Sequence, residues 1–191
     1  MKLHDIRTLI KSLPIVLAVG LYLVFKPDAA DTADVKMEYA VTQTGNEIYE
    51  VTYGEVINGD TVNVIVDGQS QPVRLLMIDT PNAPQPYAKE AKERVEQLLS
   101  EAKKIQLLHD VGAQQDEDGR LLAYVFVDGV SLQEHLLKEG YATVRDVTAP
   151  NNTFEKQFES IEKQAKQAKL NIWSIDGYVD ETDGFQEDVM N

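Results

Sequence analysis

The chain has 191 residues, a formal net charge of −14, 43% hydrophobic residues and no cysteine. That length allows one domain with a real core plus appendages, and the hydrophobic share is that of a globular protein. The missing thiol excludes disulfides, zinc–thiolate centres, thiol nucleophiles and a lipid anchor on cysteine.

Lys2, Arg7 and Lys11 precede a 13-residue apolar stretch, Leu13 to Phe25, with Lys26 after it. A basic region followed by such a stretch is the pattern of an export signal. Residues 1–27 are read as a signal peptide or a membrane anchor. Both outcomes stay open. The small residues that follow, in Asp28-Ala29-Ala30 and Asp31-Thr32-Ala33, carry aspartate where a cleavage site wants a small side chain. Against an anchor, the stretch is shorter than the ~20 residues a spanning helix prefers. In its favour, Lys11 and Lys26 can snorkel. The basic side would stay cytoplasmic, placing the domain outside the cell or on the outer face of its membrane.

Residues 28–45 are polar and read as a linker, residues 46–176 as the folded domain. Residues 177–191 read as an acidic disordered tail; from Asp176 to Asn191 there are six acidic residues and no basic one. The first 27 residues carry a net +3, so the remainder carries −17. A nucleic-acid binder usually shows the opposite sign.

Within the domain, Ile48 to Tyr53 alternates and predicts a first strand. Thr61 to Val66 is β-branched, with Val62, Val64 and Val66 on one face, and predicts a second. Asp67-Gly68 is a turn signal. Val73 to Ile78 is an apolar run fit for a strand covered on both faces, and Asp79-Thr80-Pro81 stops it. A loop from Gly68 to Gln71 sets Asp60 opposite Asp79. A two-residue Asp67-Gly68 turn offsets them by four residues unless a bulge intervenes. Facing carboxylates destabilise a sheet. A divalent cation between them reverses that sign and takes hard oxygen ligands.

Pro84 and Pro86 break the chain, and Pro86 suits the first turn of a helix. Ala88, Ala91, Val95, Leu98, Leu99 and Ala102 then mark an amphipathic helix to about Lys103. Ile105 to Leu108 and Leu121 to Val127 predict strands four and five. Ser131-Leu132-Gln133-Glu134 is a capping box for a short helix ended by Gly140. Asn152 to Glu155 caps a last helix whose buried face is Phe154, Phe158, Ile161, Ala165 and Ala168. The Asn151-Asn152-Thr153 sequon reads as part of that cap. Trp173 is expected to plug the core. Residues alone support an α+β domain in which a small barrel is possible.

Asp60 could serve as a turn residue, Asp79 as a strand end and Arg120 as a solvated turn charge. Arg74 resists such a reading, because a guanidinium inside an apolar strand is rarely buried without a partner or ligand. His4, His109 and His135 read as structural or solvated.

The ordered set Asn58-Gly59-Asp60-Thr61-Val62, Arg74-Leu75-Leu76, Asp79-Thr80-Pro81, Asp118-Gly119-Arg120 with Leu122-Ala123-Tyr124, Pro150-Asn151-Asn152-Thr153 and Leu170 to Ser174 resembles the staphylococcal nuclease family from about Tyr49 to Asp176. The resemblance implies a five-stranded OB-type Greek-key β-barrel with about three helices. It implies Ca²⁺-dependent phosphodiester hydrolysis of DNA or RNA. By the same resemblance Asp60 and Asp79 match metal carboxylates, Thr80 a residue giving its backbone carbonyl, and Arg74 and Arg120 the phosphate clamps. Where the family carries a glutamate acting on the attacking water, this chain has Asn82. An amide orients water but takes no proton near neutral pH. Glu117, Asp118, Asp146 and Thr148 replace the family's lysine and tyrosines, which bind nucleotide phosphate and stack a base. The loop after Pro81 is shorter.

These residues together predict a monomeric, exported or membrane-anchored nuclease-like protein with weakened activity and weak affinity for DNA or RNA. The alternatives are a non-catalytic OB-fold binding module and a metal-stabilised surface domain.

Overall fold

The computed structural model describes residues 34–180, 182–186 and 189. The expected leader lies outside them. Among the described residues no helix is long and apolar enough to cross a membrane.

Five strands make the barrel: β1 (Ile48–Val56), β2 (Thr61–Val66), β3 (Gln69–Leu75), β5 (Ile105–Leu108) and β6 (Leu121–Val127), with the two-residue β4 (Ile78–Asp79) between β3 and β5 in sequence. They lie in the order β3-β2-β1-β5-β6, and a parallel β3–β6 pairing, Val73 opposite Leu121, closes the sheet on itself. Closure removes the exposed edges that an open sheet would leave. A bulge between Tyr53 and Glu55 helps β1 curve. The interior is filled by Val62, Val64, Val73, Leu75, Leu107, Ala123 and Val125, all essentially inaccessible, while Tyr124 on the other face of β6 packs on Phe154 and Phe158. The α+β OB-type barrel implied by the resemblance is the fold observed.

The hairpin register follows the shorter turn. Asp67 (φ 50°) and Gly68 (φ 78°) both adopt left-handed conformations, the requirement of a two-residue turn that matches strand twist. Val66 then faces Gln69 and Thr61 faces Arg74. Asp60 lies beside Leu75, whose N–H donates to the Asp60 carbonyl at 2.8 Å. The four-residue offset is therefore real, and no bulge removes it. Instead the apolar run expected as one strand breaks at Leu76-Met77, where Met77 takes φ 62°. β4 leaves the barrel and pairs with β8 (Thr143–Val144), with Asp79 opposite Thr143. That reversal carries Asp79 and Thr80 back to Asp60.

Among the described residues four helices flank the barrel: α1 (Met37–Thr44), α2 (Ala88–Glu101), α3 (Leu132–Glu139) and α4 (Glu155–Gln167). α1 corrects the linker expected over 28–45, of which residues 34–45 are described. Its Ala40 and Thr44 are buried, Gly45 caps it in the left-handed conformation, and Val35 before it is fully buried. The polar composition of the segment hid these few inward positions. The capping box of α3 is half realised. The Ser131 hydroxyl accepts from Glu134 N–H at 3.4 Å, but the Glu134 carboxylate accepts instead from Val35 N–H at 2.7 Å, which ties α1 to the domain. The short strand β7 (Val130–Ser131) leads into α3.

α2 buries Ala88, Ala91, Val95 and Leu99, as its spacing requires. α4 buries Phe154, Phe158 and Ala165, while Ala168 is exposed. Trp173 is not the core plug. In the 3₁₀ turn Asn171–Ser174 it is Ile172 that is fully buried; Trp173 is half-buried with Lys166 Nζ 4.5 Å from its ring centre.

The acidic tail is likewise structured where it is described. β9 (Val179–Asp180) and β10 (Gly184–Phe185) form a hairpin, and Tyr178 before it is fully buried, its hydroxyl donating to the Pro86 carbonyl at 2.7 Å. Aromatic burial outweighs the acidic composition: Tyr178 packs on Phe185, ring centres 5.4 Å apart, and large rings remove much apolar surface from water.

Candidate active site

The site forms where β2 begins and β4 ends. Asp60 precedes β2 and is 3% exposed. Its Oδ1 accepts from the Thr61 hydroxyl at 2.9 Å, and its Oδ2 accepts from both the backbone N–H and the hydroxyl of Thr80, each at 3.1 Å. Gly59 permits this approach: a Cβ there would lie 2.6 Å from the Thr80 hydroxyl oxygen and 2.8 Å from its Cβ. A buried carboxylate needs such donors.

Arg74 is the cation of the cluster. On β3 it points across the start of β2 and is held by main-chain oxygens, with Nη1 donating to Ile78 O at 2.8 Å. Nη1 lies 3.3 Å from Asp60 Oδ1, and Nη2 lies 3.6 Å from Asp79 Oδ1 and 3.2 Å from Asp146 Oδ2. One guanidinium thus serves three carboxylates. Burial first, and then Asp60 and Asp146, push the Asp79 pKa up to about 6 against the lowering effect of Arg74.

Asp60, Arg74, Asp79 and Thr80 are therefore brought together. Arg120 is not in this cluster. It lies across a groove of about 220 Å³ lined by Arg74, Met77, Asp116, Arg120, Asp146 and Thr148, among others. Its Nε donates to Asp116 Oδ2 at 2.7 Å and its Nη2 lies 3.5 Å from Asp118 Oδ2. Burial raises the Asp116 pKa, but hydrogen bonds from Arg120 outweigh that and leave it lowered. Asn82 sits exposed at the rim, its Oδ1 accepting from Asn58 Nδ2 at 2.8 Å and its N–H donating to Gln85 Oε1 at 2.8 Å.

Two participants are not among the expected site residues. Asp146 stands out in the sequence only as a lost aromatic, yet it ion-pairs with Arg74. Arg145 Nε lies 3.9 Å from Asp79 Oδ2. Both reach the site through the two-residue β4–β8 pairing, which no periodicity reveals. His109 is structural, with Nδ1 bonded to Leu122 O at 2.7 Å and Nε2 to Tyr49 Oη at 2.8 Å. His135 is half-buried, its pKa lowered chiefly by burial.

The fold and site define an OB-type barrel with a carboxylate–guanidinium cluster where its second strand begins and its third ends. The model of the staphylococcal nuclease homologue family matches residues 72–175, more than half of the chain. The chain is 45% identical over 139 residues to the SPbeta prophage-derived endonuclease YokF and, separately, to endonuclease YncB, both of Bacillus subtilis (strain 168). Each match takes in 70% of this chain, and the chain spans 47% and 65% of those two proteins. It is 36% identical over 140 residues to the thermonuclease of Staphylococcus hyicus, spanning 80% of that protein and 70% of this one. The chain belongs to the staphylococcal nuclease family.

Proposed function

We propose that this chain hydrolyses phosphodiester bonds of DNA or RNA, using Ca²⁺, and does so slowly. The carrying observation is the Asp60–Arg74–Asp79 cluster at the mouth of a nuclease-family barrel. The names of its relatives, endonuclease and thermonuclease, support the reaction class.

The residues fit a divalent ion. Among the described residues no group of three or more carboxylate, imidazole or thiolate side chains is arranged to hold a metal. The donors on offer are two carboxylates and the Thr80 carbonyl, all hard oxygens of the kind Ca²⁺ takes, with water completing the shell. Burial first, and then the neighbouring Asp60, raise the Asp79 pKa, and a cation beside the pair would favour the ionised form. Ca²⁺ held by Asp60, Asp79 and Thr80 would polarise a phosphate and lower the pKa of water.

The protein groups supply the rest. Arg74 and Arg120 flank the groove and present planar forks to a phosphate whose equatorial oxygens gain charge. Asn82 can orient a water through its amide but cannot take its proton. General-base catalysis contributes ~10²–10⁴-fold, so its loss slows the reaction without removing the metal or the clamps. The basic leader supports export, and its apolar stretch supports membrane attachment if it is retained.

A non-catalytic binding module is the second reading, favoured by one observation: both guanidiniums of the groove are already paired with aspartates of this chain. A metal-stabilised surface domain is the third. The deciding experiment is hydrolysis of single-stranded DNA and RNA by the purified chain with Ca²⁺, with chelator, and with Asp79→Asn. Slow cleavage that needs Ca²⁺ and is lost in Asp79→Asn supports the enzyme. Ca²⁺ binding without cleavage leaves the module.

A further inference from the structure

The C-terminal hairpin lies beyond residue 175, where the family match ends, yet it reaches the site by two contacts. Tyr178 donates to the carbonyl of Pro86, in the loop that follows Asp79-Thr80-Pro81. Arg145 Nη2 donates to the carbonyl of Thr182 at 2.6 Å. The hairpin is internally braced: Tyr178 and Phe185 rings lie 5.4 Å apart, Gln186 N–H donates to Tyr178 O at 2.8 Å, and Asp180 Oδ1 accepts from Thr182 N–H at 2.7 Å and Asp183 N–H at 2.9 Å. Gly184 completes the seat. At φ 78° it is buried against the guanidinium, and a Cβ there would stand 3.2 Å from Arg145 Nη1 and 3.3 Å from Cζ.

The guanidinium so held faces Asp79. Arg145 Nε is 3.9 Å from Asp79 Oδ2, while Arg74 Nη2 is 3.6 Å from Asp79 Oδ1. Each oxygen of one carboxylate thus faces a different arginine, one fixed by the barrel and one by the hairpin. Two cations on opposite oxygens define the plane of a carboxylate more tightly than either alone. A free arginine side chain would lose rotamer entropy in holding such a pose. The Thr182 carbonyl and the glycine seat offset that cost.

We propose that Arg145 is a positioning residue for Asp79 and that the β9–β10 hairpin is the brace that holds it. The catalytic consequence rests on the nuclease reading; the Arg145–Asp79 coupling does not. Where a metal carboxylate is misaligned, the step after binding suffers most.

The test uses the full chain as parent, Arg145→Ala, Arg145→Lys and Gly184→Ala. Expected for Arg145→Ala is a fall in kcat on single-stranded DNA of at least about tenfold, with KM within about threefold. Gly184→Ala keeps every charge and should reproduce part of that fall by displacing the guanidinium. Arg145→Lys restores charge without the fork and should fall between. An unchanged kcat in Arg145→Ala, or a loss that appears only as lowered thermal stability, would overturn the proposal. A second arm needs neither metal nor turnover: a thermal-unfolding cycle of Arg145→Ala with Asp79→Asn in chelator. Non-additive shifts are expected; additive ones overturn the proposal even if the parent proves inactive. An inactive parent with a non-additive cycle would instead sink the nuclease reading and leave the brace standing.

Discussion

Asp60 receives two hydrogen bonds from Thr80, through the same oxygen Oδ2 and at the same 3.1 Å. The two residues are twenty apart in sequence. This clasp is what turns an offset hairpin into a site, because it draws the end of β4 onto the start of β2. It leaves the Asp79 carboxylate beside Asp60, with Arg74 facing both.

Ca²⁺ should therefore raise the melting temperature. Binding stabilises by RT ln(1 + [L]/Kd), ~2.7 kcal/mol at a hundredfold excess over Kd. Thermal unfolding is to be followed from chelator to millimolar Ca²⁺ for the parent and for Asp60→Ala. The parent should shift upward and the variant should not. A flat response in the parent removes the metal from the site.

The second prediction concerns pH. The folded-state pKa of Asp79 is raised to about 6, whereas an unfolded aspartate titrates near ~3.9. A raised carboxylate pKa penalises the folded state when the group is ionised. The penalty is absent below the unfolded pKa, grows as pH rises between the two, and is complete above the folded one. In chelator, Asp79→Asn should thus stabilise the protein at pH 7, by on the order of 2 kcal/mol, and the gain should vanish near pH 4. Denaturant unfolding at both pH values measures it. A variant less stable than the parent at pH 7 would show that Arg74 already compensates the charge.

Much of this site was legible in the residues, and the gaps have physical causes. Asp60, Arg74, Asp79 and Thr80 fall in one stretch, so turn chemistry and alternation placed them near each other. The turn length decided between two registers only once Asp67 and Gly68 were seen at positive φ. The break at Met77 was invisible, since four consecutive apolar residues satisfy a strand and a buried turn alike. Composition misled at both ends of the domain. Val35, Ala40 and Tyr178 are single apolar anchors in polar surroundings, and each orders a segment whose average looks unstructured. Trp173 misled in the other direction, because its size suggested burial while its neighbour Ile172 fills the space.

Affinity for nucleic acid should be weak for a local reason as well as a global one. Asp146 is 67% exposed on its side chain and pairs with Arg74 at 3.2 Å, so a phosphate must displace it. Exposed pairs are worth ~0.2–1 kcal/mol and are screened by salt. Asp146→Asn should accordingly lower KM for single-stranded DNA by about two- to fivefold, more at low salt than at 0.15 M. A fall in kcat instead would identify Asp146 as the group that takes the proton. Tight binding by the parent at physiological salt would contradict the masking of both arginines.

The last prediction concerns Asn82. It lies at the rim, its side chain already accepting from Asn58, so a longer side chain has solvent to extend into. Asn82→Glu introduces a carboxylate while Gly59, Asp60, Arg74 and Thr80 remain as they are. It should raise Ca²⁺-dependent hydrolysis by at least about tenfold, short of the ~10²–10⁴ a general base can give, because Asp118 and Asp146 still oppose the phosphate. Asn82→Gln has the same length without the basicity and should give no such gain, which separates basicity from reach. The check is a pH–rate profile for parent and both variants under saturating Ca²⁺. Only the glutamate variant should acquire a limb that rises with pH as its carboxyl ionises. If neither variant gains while Ca²⁺ still binds, more than a base is missing and the binding module becomes the better description. If the parent already turns over fast, another group activates the water, and Asp146, beside Arg74, is the first to test.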